Sequence, residues 1–203
     1  YPPGSTYKPV IAAAALEEGL ITPETTFYCN GTFELGDRVF RCWQAKGHGH
    51  VNLHRAIVES CDVYFYHLGK LLGVDRIAKY ARAFGLGAPL GIDLPREKGG
   101  LIPTKQWKLS RLQESWQMGE TISLAIGQGF NLVTPIQIAN VYATLANGGT
   151  LHRPRIIKQL ESLDGHVVKR FEAEPQGVLP VQPQHIKTIN QALWGVVNER
   201  GGT

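Results

Sequence analysis

Glycine and proline occur along the whole length of this 203-residue chain, 23 of one and 12 of the other. Because both residues end helices and strands or lie in the turns between them, we predict many short elements joined by turns. The two residue types are not concentrated in one tract, so no low-complexity segment is expected. With 43% apolar residues the chain can bury one ordinary core, and residues 1–203 are expected to form one domain.

The net charge of +4 and the pI near 9.0 favour an anionic neighbour such as nucleic acid, a membrane surface or an acidic cell-wall polymer. No basic stripe with interleaved aromatic residues occurs, so no nucleic-acid partner is expected. The longest apolar stretch, residues 9–16, is about half of what a membrane-spanning helix needs. Tyr1 is neither an initiator methionine nor preceded by a signal-like segment, so we expect the chain to begin within a longer protein.

Capping signals and apolar spacing predict six helices, separated by an irregular segment at residues 86–119. The first follows Ser5 and ends near Gly19. The fifth begins at Thr134-Pro135-Ile136-Gln137, where Thr can cap, Pro suits the first position and Gln completes a capping box. The remaining predicted helices cover residues 52–59, 62–72, 75–84 and 184–198.

Two hairpins are predicted from β-prone residues around turn signals. Residues 25–43 should form one hairpin with its turn at Leu35-Gly36-Asp37, which would bring Cys29 and Cys42 close to opposite each other. Residues 155–161 and 166–171 should form a smaller hairpin around Asp164-Gly165.

Ser5 and Lys8 form the first candidate site. Three residues apart at the start of a helix, they project from one face, so the amine can reach the hydroxyl. A serine needs a base to become a good nucleophile, and a lysine kept neutral by desolvation can supply one. The tetrad alone is weak evidence, because six serines and ten lysines in a chain of this length give about 0.3 matches to the spacing by chance. A capped helix with a solvated lysine would show the same pattern.

Three separated blocks carry a resemblance to a known family: YPPGSTYKP, GHGHVNLHRAIVESCDVYFY and AIGQGFNLVTPIQIANVYATLANGG. In order and approximate spacing they resemble the transpeptidase domain of class B penicillin-binding proteins, most closely the elongation-type members of penicillin-binding protein 2 type. The resemblance implies the α+β penicillin-binding/β-lactamase-like fold. The chain is expected to hold mostly its helical subdomain with small β-hairpins, with the central sheet largely missing.

The same resemblance assigns roles to four residues. Ser5 would be the nucleophile and Lys8 its general base, while Ser60-Cys61-Asp62 would occupy the second motif of the family. There Ser60 and Asp62 would relay protons and orient the leaving group. Most of the superfamily has Asn in place of Asp62, and a carboxylate near Lys8 favours the charged amine. Without the resemblance, Ser60 and Asp62 would suit a helix cap.

The third family motif, Lys-Ser/Thr-Gly, does not occur in residues 1–203. In the family its strand contributes one oxyanion donor, and the amide of Ser5 would be the other. Loss of one such donor raises a reaction barrier by about 2.7–4 kcal/mol. We therefore expect this exact chain to be inactive or nearly so on its own.

The implied reaction is acyl transfer in cell-wall elongation. Ser5 would attack the D-Ala-D-Ala carbonyl of a peptidoglycan stem peptide, and β-lactam antibiotics would acylate the same serine. The resemblance implies no metal or organic cofactor, a SEDS-type membrane glycosyltransferase as partner, and a location on the extracytoplasmic face of the bacterial inner membrane. Two alternatives remain: a D,D-carboxypeptidase or serine β-lactamase on the same scaffold, and a non-catalytic β-lactam-binding sensor module.

Cys29 and Cys42 allow two interpretations. Together with His48, His50 and His54 they suggest zinc, although the usual close pair of cysteines is lacking. A disulfide between them is favoured, because the resembling proteins work outside the cytoplasm, where disulfides persist. Cys61 is expected to be a small half-buried residue.

Overall fold

The computed structural model describes all of residues 1–203 and is rich in helix. Its α-helices are α1 (Lys8–Glu17), α2 (Leu53–Val58), α3 (Asp62–Ala83), α4 (Lys105–Leu112), α5 (Met118–Leu124), α6 (Pro135–Ala146) and α7 (Pro183–Asn198). Its strands are β1 (Phe27–Cys29), β2 (Thr32–Leu35), β3 (Arg38–Arg41), β4 (Gly49–Val51), β5 (Thr150–His152), β6 (Gln159–Glu161), β7 (Val167–Arg170) and β8 (Pro175–Val178). The strands form four antiparallel pairs and no larger sheet, so the predicted helix-rich α+β class is confirmed.

Helix α1 is the centre of the core. All residues from Lys8 to Leu16 are buried, and the helix packs against α3, α7 and α2. Alanine side chains at positions 12–15 are small enough to let neighbouring helices approach from several sides. The predicted first helix is confirmed, and a 3₁₀ turn at Gly4–Tyr7 leads into it.

Helix α3 joins two of the predicted helices into one bent element. Gly73 has non-helical backbone angles (φ 73°, ψ 162°) and divides it where the sequence predicts a break. Near its first half, a Cβ added at Gly69 would come within 2.7 Å of the Ala125 Cβ. The missing side chain therefore lets α3 pack closely against α5.

The prediction that residues 86–119 are irregular is wrong for two helices. Helix α4 buries only Lys108, so it lacks the apolar periodicity that would have revealed it. Its start is instead fixed by Thr104, which accepts a hydrogen bond from the Trp107 amide. Helix α5 begins at Met118, inside the same segment, and the Glu120 carboxylate accepts a hydrogen bond from the Gln117 amide at its start.

The hairpin predicted for residues 25–43 is shorter than expected. Strands β2 and β3 pair around the Gly36-Asp37 turn as predicted, with Phe33 opposite Phe40. Strand β1 does not continue this ladder. It pairs with β4, which places Cys29 opposite Gly49 rather than opposite Cys42.

Helix α6 confirms the predicted capping box of Thr134 and Gln137. Gln137 is fully buried, and its amide nitrogen donates to the carbonyl oxygens of Ala88 and Gly99 at 2.8 and 2.9 Å. Since buried carbonyls need donors, this one side chain ties the loop at residues 88–99 to the core.

The C-terminal third contains the most exposed elements. The predicted hairpin forms between β6 and β7, and all four residues of β7 are exposed. Strands β5 and β8 form a further pair that the sequence did not indicate. Helix α7 matches the predicted last helix and leaves Trp194 and Val197 exposed. None of the helices is both long enough and apolar enough to cross a bilayer.

Candidate active site

Ser5 lies in the 3₁₀ turn that precedes α1, and its side chain is exposed. Residues three apart in a 3₁₀ helix eclipse each other, so Ser5 and Lys8 lie on the same side of the turn. Gly4 supplies a positive φ of 59° at the entrance to the turn. Ser5 is exposed and Lys8 is buried, and no hydrogen bond joins the two side chains, because the Lys8 amine bonds to Ser60 and Asp62 instead.

The turn is held by the segment at residues 126–133. The Gly4 amide donates to the Gly127 carbonyl at 3.0 Å, and the Val133 amide donates to the Tyr1 carbonyl at 2.9 Å. A Cβ at Gly127, where φ is +71°, would lie 2.2 Å from the Gly4 carbonyl oxygen. Only glycine therefore allows the two backbones to approach this closely.

Lys8 is almost fully buried and connects α1 to the start of α3. Its Nζ donates to the Ser60 carbonyl, the Ser60 Oγ and the Asp62 Oδ1, each at 2.8 Å. The Asp62 side chain is only 12% exposed, so the ion pair is shielded from solvent. The Phe65 ring lies 5.4 Å from the same Nζ.

Two opposing effects act on the Lys8 amine. Burial lowers its pKa, because the charged form loses hydration, and Asp62 raises it through its charge and hydrogen bond. Desolvation is the larger effect, so the pKa of Lys8 lies below the ordinary lysine value. Such an amine deprotonates more readily than a solvated lysine, as a general base requires.

Ser60 and Asp62 lie in the tight turn between α2 and α3. Ser60 has a left-handed φ of 51°, which is uncommon for a residue with a side chain. Asp62 is the first residue of α3, where a carboxylate also interacts favourably with the helix dipole. Cys61 is the N-cap residue of α3 and no side chain caps the helix, so the capping interpretation of Ser60 and Asp62 is wrong. The Asp62 carboxylate instead accepts hydrogen bonds from Lys8 and from the Trp43 amide.

Trp43 is a site residue that the sequence did not reveal. Its backbone amide donates to the Asp62 Oδ2 at 3.0 Å, and its indole Nε1 donates to the carbonyls of Glu59 and Ser60, both at 3.1 Å. Through these contacts the exposed Trp43 holds the turn that carries Ser60 and Asp62. Only the fold brings Trp43 here, since no spacing relates it to residues 59–62.

A cleft of about 450 Å³ is lined by Ser5, Trp43, Ser60, Asp62 and Thr203. The structure thus brings three of the four predicted residues to one surface, with Lys8 beneath them. A larger cavity of about 630 Å³ lies along α7, between His54 and Trp194. Its lining contains no serine or cysteine nucleophile, so the smaller cleft is the candidate active site.

The three cysteines lie beside this cleft as free, buried thiols, and the expected disulfide between Cys29 and Cys42 is not present. The sulfurs of Cys29 and Cys42 lie 3.6 and 3.5 Å from the His48 Nδ1. Cys61 completes the group, and the four side-chain ligand atoms all lie within 4.8 Å of one another. We call Cys29, Cys42, His48 and Cys61 the thiol cluster.

Two histidines considered with the cysteines lie outside the thiol cluster. The His50 ring contacts Tyr28 at a tilted angle of 54°, and His54 pairs with Glu199. Cys61 is fully buried rather than half-buried. Within the cluster, a hydrogen bond from the Cys61 thiol lowers the pKa of Cys42 below that of an ordinary thiol. These residues could hold a soft metal ion.

Comparison with known proteins identifies the family. The family model described as "Penicillin binding protein transpeptidase domain" matches residues 1–203. The chain belongs to this family.

Curated members of the transpeptidase family support the same assignment at the level of sequence. The peptidoglycan D,D-transpeptidase MrdA of Haemophilus influenzae is 38% identical over all of this chain and 31% of its own length. The MrdA of Escherichia coli K12 is 35% identical over all of this chain and 32% of its own length. The chain thus spans about a third of the length of these relatives.

Solved structures of the transpeptidase family share the fold. Pseudomonas aeruginosa PBP2 in complex with WCK 5153 superposes with a TM-score of 0.87 at 37% identity, covering all of this chain and 44% of that one. The complex of PBP2 and MreC from Helicobacter pylori gives a TM-score of 0.86 at 33% identity, covering all of this chain and 36% of that one. The comparisons therefore confirm the predicted family and its fold. They also confirm the resemblance to elongation-type members.

Proposed function

We propose that residues 1–203 form part of the transpeptidase domain of a peptidoglycan D,D-transpeptidase, with Ser5 as its acyl-accepting nucleophile. One observation carries the proposal. Lys8 is buried with its Nζ 2.8 Å from the Ser60 Oγ, and Ser60 lines one cleft together with the exposed Ser5. A nucleophile, a base and an orienting group then occupy one site, as acyl transfer through a serine requires.

The reaction uses each of these groups in turn. The Ser5 Oγ bonds to the carbonyl carbon of the penultimate D-alanine, and its proton passes to Lys8. The bond to the terminal D-alanine then breaks, and a proton from Lys8, relayed by Ser60, leaves on its amine. The nitrogen of an amine from a neighbouring stem peptide finally bonds to the acyl carbon, the ester bond to the Ser5 Oγ breaks, and the proton of the amine passes by way of Ser60 and Lys8 to the Ser5 Oγ. Amides at a helix start lack an intrahelical acceptor, so the Ser5 N–H suits an oxyanion donor.

For the whole protein we propose a role in cell-wall elongation. Its substrates would be peptidoglycan stem peptides, and β-lactams would acylate Ser5. The complexes solved for related chains support partners of this kind, since one contains MreC and another is a peptidoglycan synthase complex that coordinates polymerisation and crosslinking. We propose a SEDS-type glycosyltransferase as partner and the extracytoplasmic face of the inner membrane as the location.

The names of the relatives favour transpeptidation over the alternatives on the same scaffold. A D,D-carboxypeptidase or β-lactamase would hand the acyl group to water instead of an amine. Following the acyl group with and without an acceptor amine separates these outcomes. Product formed only by hydrolysis would overturn the transpeptidase assignment.

The first test is labelling by a fluorescent penicillin. We expect stoichiometric labelling of the whole protein, located at Ser5 by mass spectrometry, and little or no labelling of residues 1–203 alone. Every acylation assay therefore uses the whole protein. Ser5→Ala should abolish labelling without a change in Tm, because the exposed hydroxyl makes no hydrogen bond in the structure. Ser110→Ala, at an exposed serine of α4, is the matched control and should label normally. Label on the Ser5→Ala protein would contradict the assignment.

The role of Lys8 is tested against a second buried lysine. Lys108 is also almost fully buried and contacts Glu120 and Glu114. Replacement of either lysine by Met leaves a carboxylate without its partner, so both variants should lose stability. Only Lys8→Met should also lose acylation when both are assayed well below their melting temperatures. Equal acylation rates in the two folded variants would argue against a catalytic Lys8.

A further inference from the structure

Two fully buried polar side chains meet where the Ser5 turn joins the segment at residues 126–133. Tyr7 is the last residue of the 3₁₀ turn, Asn131 belongs to the segment, and neither side chain is exposed to solvent. The Tyr7 hydroxyl and both polar atoms of the Asn131 amide have no hydrogen-bond partner among the atoms of the protein. They make up three of the five such buried side-chain atoms in the chain, so the unmet hydrogen bonds are concentrated close to Ser5.

The surroundings of this pair offer no substitute for hydrogen bonds. The residues of α1 that follow Lys8 up to Leu16 are apolar and buried. A buried donor or acceptor that finds no partner there loses its hydration without compensation, whereas a Phe–Leu pair would fill a similar volume at no such cost. Because buried polar side chains in folded proteins are hydrogen-bonded in the large majority of cases, the three atoms need partners.

The effect of Asn131 on Tyr7 shows how the two side chains face each other. Burial raises the pKa of the Tyr7 hydroxyl, and a hydrogen-bonding contact with Asn131 lowers it. A donor that faces the phenol oxygen has this effect, because it stabilises the phenolate, so the Asn131 Nδ2 faces the Tyr7 Oη. The contact is not aligned as a direct hydrogen bond. Polar groups that face each other without bonding are typical of a site with a bridging water.

We propose that Tyr7 and Asn131 bind one water molecule, and that the resulting ring of hydrogen bonds positions the turn carrying Ser5. In this ring the Asn131 Nδ2 donates to the Tyr7 Oη, the Tyr7 hydroxyl donates to the water, and the water donates to the Asn131 Oδ1. Each of the three atoms then has a partner that matches its role as donor or acceptor. The water makes two hydrogen bonds, the minimum that is typical of a buried water.

The ring would join the turn to the segment from the inside. Two backbone links already join them, one at Gly127 and one at Val133. Asn131 lies between these links, and Tyr7 lies two residues after Ser5. Because the Ser5 side chain is exposed, its position depends on the backbone of the turn, which the ring would fix. Tyr7 and Asn131 are therefore positioning residues, and this role rests on the proposed acylation of Ser5.

A crystal structure of the whole protein tests the water directly. We expect one ordered water about 2.8 Å from both the Tyr7 Oη and the Asn131 Oδ1. The water should be absent from Asn131→Leu, whose side chain has nearly the same shape without polar atoms. The site is overturned if no water lies between the two side chains, or if either of them bonds to a different group of the protein.

A double-mutant cycle tests whether the two side chains act as one unit. Tyr7→Phe leaves the amide unpaired and Asn131→Leu leaves the hydroxyl unpaired, so each should lower the Tm by on the order of 5 °C. The double variant has no polar group left to satisfy and should recover most of that loss. Losses that simply add in the double variant would show that the two residues are independent, against the ring.

The positioning role has a separate measurement, the rate of acylation of the whole protein by a fluorescent penicillin. In the double variant this rate should stay on the order of tenfold below normal although the Tm has recovered, since small misplacements of reacting groups have large effects. The affinity of the noncovalent penicillin complex should not change. Tyr80→Phe is the control: it removes another buried hydroxyl, which bonds to Glu18 beyond the opposite end of α1. It should lower the Tm without slowing acylation.

Failure of the positioning role and failure of the proposed function give different results. A double variant that is acylated as fast as the unmodified protein would refute the positioning role and leave Ser5 as the nucleophile. An unmodified whole protein that penicillin does not label at Ser5 would contradict the proposed function. In that case the crystal structure and the double-mutant cycle still decide whether the ring exists.

Discussion

At the scale of single residues, Lys8 shows how burial and a neighbouring charge act in opposite directions on the pKa of one amine. Its stem lies in a helix whose neighbours exclude water, which lowers the pKa, while Asp62 opposes that effect from 2.8 Å away. Such a pair is weak evidence for stability, because desolvation offsets much of the attraction. Its position beside Ser60, which lines the same cleft as Ser5, is better explained by the proposed chemistry.

A residue-scale prediction concerns the glycine that supports Ser5. Gly127→Ala places a methyl group against the Gly4 carbonyl, so both the αL backbone and the Ser5 turn must shift. Gly129→Ala is the matched control, because its φ is also positive but its Cβ meets only Ser123 at 3.7 Å. The control should lose about 1–2 kcal/mol of stability.

Gly127→Ala should lose more stability than this control and should also slow penicillin acylation. Chemical denaturation and single-turnover labelling measure the two effects. Equal losses in both variants would show that the close approach of the two backbones is unimportant.

At the scale of elements, Glu18 joins the C-terminal end of α1 to α3. Its carboxylate accepts hydrogen bonds from the Lys79 Nζ and the Tyr80 hydroxyl, both at 2.9 Å, and lies near Arg76. The hydrogen bonds from Lys79 and Tyr80 lower the pKa of Glu18 below its ordinary value. The end of one helix is thereby tied to the face of another.

This ion pair predicts a pH dependence of stability. Because the folded-state pKa is depressed, the stabilisation is fully present above the ordinary pKa of 4.5 and is lost as the pH falls through the lowered value. Glu18→Gln should therefore destabilise the protein at pH 7 by no more than about 1 kcal/mol, and less at pH 3.

Urea denaturation at several pH values tests this dependence. Glu24→Gln, at an exposed carboxylate without an ion pair, should show no such difference. If Glu18→Gln lowers the free energy of unfolding by the same amount at every pH, the lowered pKa of Glu18 is contradicted.

At the scale of the whole molecule, the site is assembled from three distant regions. The turn at residues 4–8, the segment at 43–62 and the loop at 126–133 meet around α1, while the hairpin of β6 and β7 projects from the surface. Local stability should follow this arrangement, because buried elements open only with the whole domain.

Hydrogen exchange followed by mass spectrometry measures that distribution. Amides of α1 should exchange slowest. The free energy of the opening that exposes them should fall with denaturant concentration about as steeply as the free energy of global unfolding. Amides of the β6–β7 hairpin should exchange by local opening, with little dependence on denaturant. Equal protection of the two elements would contradict a core centred on α1.

Much of the local structure could be predicted from the sequence. The capping box at Thr134 and Gln137, the break at Gly73 and the turn at Gly36-Asp37 all depend on residues within a few positions of each other. Helix α4 was missed because it buries a single residue, and apolar periodicity cannot detect a helix without a buried face.

The sequence by itself determined the family resemblance, the 3-residue spacing of Ser5 and Lys8, and most helix boundaries, since these follow from short-range chemistry. Only the tertiary structure decided that β1 pairs with β4, that Trp43 supports the turn at Ser60, and that Cys61 joins Cys29, Cys42 and His48. Those contacts join residues between 13 and 32 positions apart, and the burial of α1 and α3 in one core selects among the many possible pairings.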